Sequence, residues 1–492
     1  MPERKKNILP LLVILMIILY EIKTPAMIYE AIRIGQLILQ HKTLNIFPLY
    51  QFTLLPGQEI INPQWLFQIF LACIHKLAGF EFISVLITLL IALDFFLIYK
   101  ITLLETQNTL FSSIYTFLVF VLSIQFISIR PVLLAILFGL LIIYILRFNG
   151  KLYFIPFIHM LWINIHLSFP LCYLFLLAQF AETFHKAVKK QGRLKSAFRD
   201  RDVRYLLLIM ILTAFSSLAN PYGWKIFKEI LEIFNPDNAL SYITEWVPTI
   251  IQEPSGFLFF ASSIIMIFIL FRNKEKQAMF EGILFCVFYI YGLTAIRNIL
   301  WWNIIVLPLC AGRVYSYLNR TRVKNFLDRE YFNRPAFNCS IIFLLIMLII
   351  LASPYSKYRG YFLINKKIFQ DTRNDPFSLQ IIDYLKKKKK PGIQGRIMLY
   401  NEETSFFQYS LVPEYGFFTG GLIGYFKKEI RDYQLISAGI YLYDSLLDKY
   451  RINYLILHKD IDEQYYLIQA LLKNKKYRLV LSDRTVYFFE RI

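Results

Sequence analysis

Apolar runs long enough to cross a bilayer recur about eleven times between residues 8 and 354, and this repetition leaves a helical membrane bundle as the architecture open to the chain. They fall at 8–22, 81–99, 110–128, 131–147, 152–167, 168–183, 205–219, 257–271, 280–296, 299–317 and 338–354. With 57% hydrophobic and 17% aromatic residues among 492, the chain is too apolar for an ordinary soluble protein. The net charge of +20 does not point to nucleic acid, because the basic residues cluster in short gaps between runs, where membrane orientation accounts for them. Cys73, Cys172, Cys286, Cys310 and Cys339 sit in or beside apolar segments without CxxC spacing and read as small buried residues.

Sidedness follows from one choice. Arg4, Lys5 and Lys6 precede the run Ile8–Tyr20 with no small-x-small cleavage site after it, which predicts an uncleaved first span and a cytoplasmic N-terminus. The segment Gln64–Ala78 either crosses the membrane or lies on it. Crossing would put Lys186, Lys190, Arg199 and Arg204 outside, against the cytoplasmic bias of basic loops. Lying on it keeps them inside, together with Lys100, Arg147, Lys151, Arg272 and the basic cluster at 320–334. That second choice gathers Arg130, His166, the loop 220–256, Arg297 and the tail after Pro354 on the extracytoplasmic side, with the first outer loop, 23–80.

Within that first loop two helical segments carry polar stripes at spacings of three and four: Glu30, Arg33, Gln36 and Gln40, then Gln64, Gln68, His75 and Lys76. Their other faces are aliphatic (Ile28, Ile32, Leu39; Leu66, Ile69, Phe70, Ile74), so both are expected to lie in the bilayer interface. The chain divides into a transmembrane domain, 1–354, and a tail, 355–492, whose mixed charge and alternating patterns predict a small α/β domain. Strands are expected at Arg396–Tyr400, Tyr454–His458 and Val486–Glu490, and helices at Tyr441–Tyr450 and Glu463–Lys473. The run Lys386–Lys390 reads as a solvated helix end or a headgroup contact. Asp94, in mid-span, is expected to pair with a neighbour or to be protonated.

Several short motifs occur in order: Asn45-x-Phe47, Gln64-Trp65-Leu66, Arg130-Pro131, Trp162-Ile163-Asn164-Ile165-His166, Asn220-Pro221-Tyr222-Gly223, Glu245-Trp246 and Arg297. Taken alone, Arg130 and Arg297 read as interfacial anchors or phosphate ligands, and Asn164 and His166 as helix-to-helix bonds or pocket residues. Asn220-Pro221-Tyr222-Gly223 is a turn signal in its own right. Glu245-Trp246 is a loop-packing pair or the carboxylate of a site. The ordered set resembles a bacterial family of polytopic membrane proteins in the GT-C glycosyltransferase superfamily, over nearly the whole chain.

The resemblance implies a GT-C-like bundle with interfacial helices in the first outer loop and a small extracytoplasmic α/β domain. It also implies transfer of a sugar from a polyprenyl-phosphate carrier to an extracytoplasmic acceptor. Arg130 and Arg297 would meet the phosphate; Glu245, Glu59 or His166 would handle the acceptor proton; Asn45, Gln64, Trp65, Asn164 and Asn220 would shape the substrate pocket. Family members commonly carry acids where this chain has Asn45 and Gln64, and amides cannot accept a proton at neutral pH. Some relatives use a divalent cation, for which one carboxylate per loop is a poor site. Two other classes remain: a non-catalytic GT-C scaffold that binds a lipid-linked glycan or a protein, and a transporter, which would want broken mid-membrane helices and an internal repeat.

Overall fold

The computed structural model describes residues 27–54, 60–233, 244–272, 279–320, 376–388, 395–399, 401–418, 427–440 and 442–492. The expected spans at 8–22 and 338–354, Cys339 and Glu59 lie outside them. In chain order the helices are α1 (Met27–His41), α2 (Trp65–Thr106), α3 (Thr109–Ser123), α4 (Val132–Tyr144), α5 (Ile155–Ile163), α6 (Pro170–Gln191), α7 (Arg201–Ser216), α8 (Lys225–Ile233), α9 (Pro254–Arg272), α10 (Met279–Thr294) and α11 (Leu307–Asn319). The tail then folds as α12 (Pro376–Lys387), β1 (Arg396–Leu399), α13 (Asn401–Leu411), β2 (Gly416–Phe417), α14 (Lys427–Ser437), α15 (Tyr443–Tyr450), β3 (Tyr454–His458), α16 (Asp462–Lys473), β4 (Tyr477–Ser482) and β5 (Val486–Arg491).

Two compact units emerge, and they do not follow chain order. One holds Ser84–Gly223 with the described residues of 243–364; the other joins those of 24–83 and 224–242 to the tail from 365 onward. The opening loop therefore clusters with the tail and not with the spans that flank it in sequence.

Six helical stretches among the described residues are long and apolar enough to cross a membrane: Phe82–Thr106, Thr109–Phe126, Val132–Asn149, Arg201–Ala219, Pro254–Arg272 and Ile296–Asn319. The chain is a multi-pass membrane protein. At Gly79 the backbone leaves the helix with φ +75° and ψ −168°, a conformation side-chain-bearing residues avoid. This break leaves Trp65–Phe80 as a short apolar helix, below the roughly 20 residues that a span needs. In the bundle unit, Trp162 and Trp301 stack with centroids 6.3 Å apart beside Gly139. Asp94 is buried among Ile91, Phe95, Ile98, Leu133 and Leu300, and its Oδ1 has no hydrogen-bond partner among the described residues. Cys73, Cys172, Cys286 and Cys310 are free thiols.

Charged residues mark the two ends of this bundle. Arg130 precedes α4, while Arg147 ends the same span and reaches Glu182 of α6 at 3.1 Å and Glu281 of α10 at 3.8 Å. Arg313 of α11 adds a 3.3 Å pair to Glu281, Lys186 a 2.6 Å pair to Glu182, and the Phe280 amide donates to Glu182 Oε2 at 2.9 Å. Each buried carboxylate here has more than one donor, as burial requires.

The other unit is built on a five-stranded mixed sheet of order β2-β1-β3-β5-β4. β1 runs parallel to β2 and β3, while β5 is antiparallel to β3 and β4, with Ile397 opposite Tyr454 and Leu455 opposite Phe489. Its core gathers Met398, Leu447, Ile452, Leu455, Leu467 and Phe489. The opening loop is bound into this sheet: Gln51 bridges Phe417 in parallel, and the Phe417 amide donates to the Tyr50 carbonyl at 2.6 Å.

For the first of the two helices expected to lie in the bilayer interface, α1, the structure corrects the expectation. Ile28 and Ile32 of α1 are buried in protein, and α1 packs against α13. The polar stripe is bonded to the tail: Ser405 Oγ donates to Glu30 at 3.4 Å, the Arg33 guanidinium to the Val412 carbonyl, and His75 meets the Tyr409 hydroxyl at 3.4 Å. An apolar helix face buried by α13 is drier than one left at headgroup level, so the tail takes the place assigned to lipid. Lys388 likewise pairs with Glu490 and lies over the Tyr384 ring, so this part of the lysine run is pinned to the sheet.

Candidate functional site

At the Arg130 end of the bundle unit, three chain segments bring two cations and one carboxylate together. Arg130 lies just before α4, where its carbonyl accepts from the Leu133 amide. Arg297 sits in the 3-10 turn Ile296–Asn298 that opens the last described span. Glu245 sits in the 3-10 turn Thr244–Trp246 of the loop that precedes α9. That loop is held beside Arg297 by backbone bonds, Ile296 N to the Val247 carbonyl at 3.0 Å and Thr249 N to the Leu293 carbonyl at 3.2 Å. The Thr249 hydroxyl adds a bond to the Gly292 carbonyl at 2.6 Å.

The Glu245 carboxylate then accepts from Arg130 at 2.6 Å and stands 3.9 Å from Arg297, whose guanidinium lies 4.6 Å over the Trp246 ring. Burial works to raise the Glu245 pKa, but the Arg130 hydrogen bond and the charges of Arg130 and Arg297 outweigh it and hold the carboxyl below its ordinary value. It is thus a fixed anion between two guanidinium groups, which makes it a weak proton acceptor while the pairs last.

His166 stands in the turn between α5 and α6, within electrostatic reach of Arg297. Its Nδ1 meets the Ser168 hydroxyl at 2.7 Å and accepts from the Ser168 amide at 3.1 Å. Asn164 and Asn220 are buried behind it. Asn220 Nδ2 donates to the Ile163 carbonyl and to Asn164 Oδ1 at 3.1 and 3.2 Å, while Asn164 Nδ2 donates to the Met160 carbonyl at 2.8 Å. The Tyr222 amide closes an Asx turn on Asn220 Oδ1 at 2.9 Å. The structure gives both asparagines a bracing role, tying the end of α5 to the turn after α7.

The remaining sequence candidates belong to the other unit. Asn45 Oδ1 accepts from the Ile60 amide at 3.4 Å, the Gln64 amide donates to Asn62 Oδ1 at 3.2 Å, and Trp65 begins α2. The bundle unit thus holds six candidates, with Arg130, His166, Glu245 and Arg297 at the charged cluster and Asn164 and Asn220 bracing the turn beside it. Ser168 was absent from the sequence reading; its signal was a hydroxyl two residues after a histidine in a turn, where such side chains bond locally.

These residues do not fit a divalent cation. Glu245 is the carboxylate of the cluster and is flanked by two guanidinium groups, and no three His, Cys, Asp or Glu side chains converge among the described residues.

Comparison with known proteins separates sequence from fold. No protein-family model matches the chain, and no curated protein matches it in sequence. Solved structures do match. The apo oligosaccharyltransferase of Archaeoglobus fulgidus superposes with a TM-score of 0.56 at 10% identity, covering 100% of this chain and 75% of its own. The oligosaccharyltransferase AglB of the same organism, in complex with an inhibitory peptide and a dolichol-phosphate, gives 0.57 at 11%, covering 97% and 73%. The likeness spans the bundle, the opening loop and the tail alike, and the fold is of the GT-C type.

Proposed function

We propose that this GT-C-type chain is a membrane glycosyltransferase that moves a sugar from a polyprenyl-phosphate carrier to an acceptor hydroxyl outside the cytoplasm. The observation that supports it is the Arg130–Glu245–Arg297 cluster, with two planar cationic forks at one end of an apolar bundle and a carboxylate between them. That the solved relative's complex contains a dolichol-phosphate supports a lipid-linked donor here.

In this reading the acceptor oxygen attacks the anomeric carbon as the bond from that carbon to the carrier phosphate breaks, and the electron pair leaves on the phosphate. Arg130 and Arg297 meet the charge that grows on the phosphate oxygens. As the phosphate takes over the guanidinium groups, Glu245 is released from them, orients the acceptor hydroxyl and takes up its proton. The reaction side is extracytoplasmic, with 186–204 cytoplasmic.

The test is release of polyprenyl phosphate from polyprenyl-phosphate sugars by the purified full-length protein in lipid nanodiscs, followed by mass spectrometry. Arg130→Ala and Arg297→Ala are each expected to lower turnover by about 10²–10³-fold, the usual scale for removing one preorganised charge donor. A second reading, a non-catalytic scaffold that binds a lipid-linked glycan, is favoured by the amides at Asn45 and Gln64. Donor binding without release from any sugar donor would select it.

A further inference from the structure

We propose that Ser168 fixes His166 as a neutral imidazole carrying its proton on Nε2, so that His166 acts as a hydrogen-bond donor to a phosphate oxygen and not as a base. The assignment of the ring rests on geometry; the identity of the oxygen rests on the glycosyltransferase reading.

The backbone amide of Ser168 can only donate, and it points at Nδ1 from 3.1 Å. The Ser168 hydroxyl, 2.7 Å from the same nitrogen, itself accepts from the Trp162 indole N–H at 3.1 Å, which leaves the hydroxyl proton for Nδ1. Two donors therefore meet one nitrogen, and that nitrogen must present its lone pair. In a neutral ring the proton then belongs to Nε2. A doubly protonated ring would set an Nδ1–H against the Ser168 N–H, losing that bond, and would place a second cation near Arg297.

The chain of donors is anchored. Trp162 is fully buried, between Phe138 and the stacked Trp301, so its indole N–H has a fixed direction. Nε2 has no hydrogen bond to a described residue, and it is not among the sealed-off polar atoms. The ring thus turns one proton outward in the neighbourhood of the Arg297 guanidinium. An oxygen with negative charge, as on a phosphate, satisfies both groups at once. Ser168 is a positioning residue, acting through His166.

The measurement is ¹⁵N spectroscopy of ring-labelled histidines in the full-length protein, with His166 assigned by its disappearance in His166→Phe. The expected wild-type spectrum has an unprotonated Nδ1 and a protonated Nε2 across the neutral range. Ser168→Ala keeps the backbone amide but removes the hydroxyl and its Trp162 link, so Nδ1 loses one of its two donors; a shifted Nδ1 resonance is expected, and Ser168→Thr should restore the wild-type position. Binding of polyprenyl phosphate itself should weaken roughly tenfold or more in His166→Phe, the scale of a hydrogen bond to a charged group. A wild-type ring protonated at Nδ1, or a Ser168→Ala spectrum identical to wild type, overturns the assignment. Unchanged polyprenyl phosphate binding in His166→Phe overturns the phosphate contact. The expected spectra and weakened binding in a protein that transfers no sugar would remove the enzyme reading and leave this inference standing.

Discussion

Glu245 is 2.6 Å from one guanidinium and 3.9 Å from a second, and the sign of its titration follows from that. Its folded pKa lies below the ordinary 4.5. A depressed carboxyl pKa adds stability that is present above the unfolded value and is lost as pH falls through the folded one. The cluster should therefore hold unchanged from pH 8 down to about 5 and come apart only below about 4.5. Thermal unfolding of wild type and Glu245→Gln between pH 3.5 and 8 reads this directly. The variant should decline less steeply at the acid end than wild type, the rest of the decline belonging to other carboxyls held low by partners, such as Glu490 and Asp448, and a wild-type transition near pH 6–7 would assign the titration to another group. Glu245→Gln should also abolish most turnover, since an amide can orient a hydroxyl but cannot take its proton.

Single helices meet at two contacts whose cost can be weighed. A Cβ on Gly35 of α1 would stand 2.1 Å from the Gln68 carbonyl oxygen, a backbone atom that cannot swing aside. Gly35→Ala is expected to destabilise by about 1–3 kcal/mol or more, seen as a lower melting temperature, despite the better helix propensity of alanine. In the bundle unit, Glu182 is 4% exposed and holds Arg147, Lys186 and the Phe280 amide. Glu182→Ala would leave Arg147 with the 3.8 Å contact to Glu281 as its remaining ion pair among the described residues, and breaking a buried pair costs about 3–5 kcal/mol. Glu182→Gln, which keeps acceptors in place, should lose less.

Across the whole molecule, the opening loop and the tail share one unit, and this has a consequence for folding. Residues 376–492 expressed without 27–83 would lack α1 against α13 and the Tyr50–Thr53 segment that bonds Phe417 and Phe418. Such a fragment should be poorly soluble and lack a cooperative melt, while co-expression with 27–83 should restore both. Sidedness is checked at the same scale: a lone cysteine placed beside Lys190 should react with impermeant thiol reagents only after the cytoplasmic face is opened. Reaction from outside would reverse the orientation on which the proposed extracytoplasmic transfer depends.

Apolar runs, basic gaps and period-two stretches were legible in the chain because they are local patterns that water, lipid and the pleat impose residue by residue. They predicted a helical membrane bundle, the strand Tyr454–His458 as found, and Val486–Glu490 to within one residue. The half-exposed strand Tyr477–Ser482 escaped, having no buried face to betray it. Arg130, His166 and Arg297 were visible as polar residues near the ends of apolar runs, and Glu245 as a carboxylate in the long loop 220–256. Their union, the bracing use of Asn164 and Asn220, and the donors that meet His166 were decided only by tertiary structure. So was the partner of α1: an amphipathic helix records that one face must be dry but not what will cover it, and here a helix about 370 residues further along the chain packs against it.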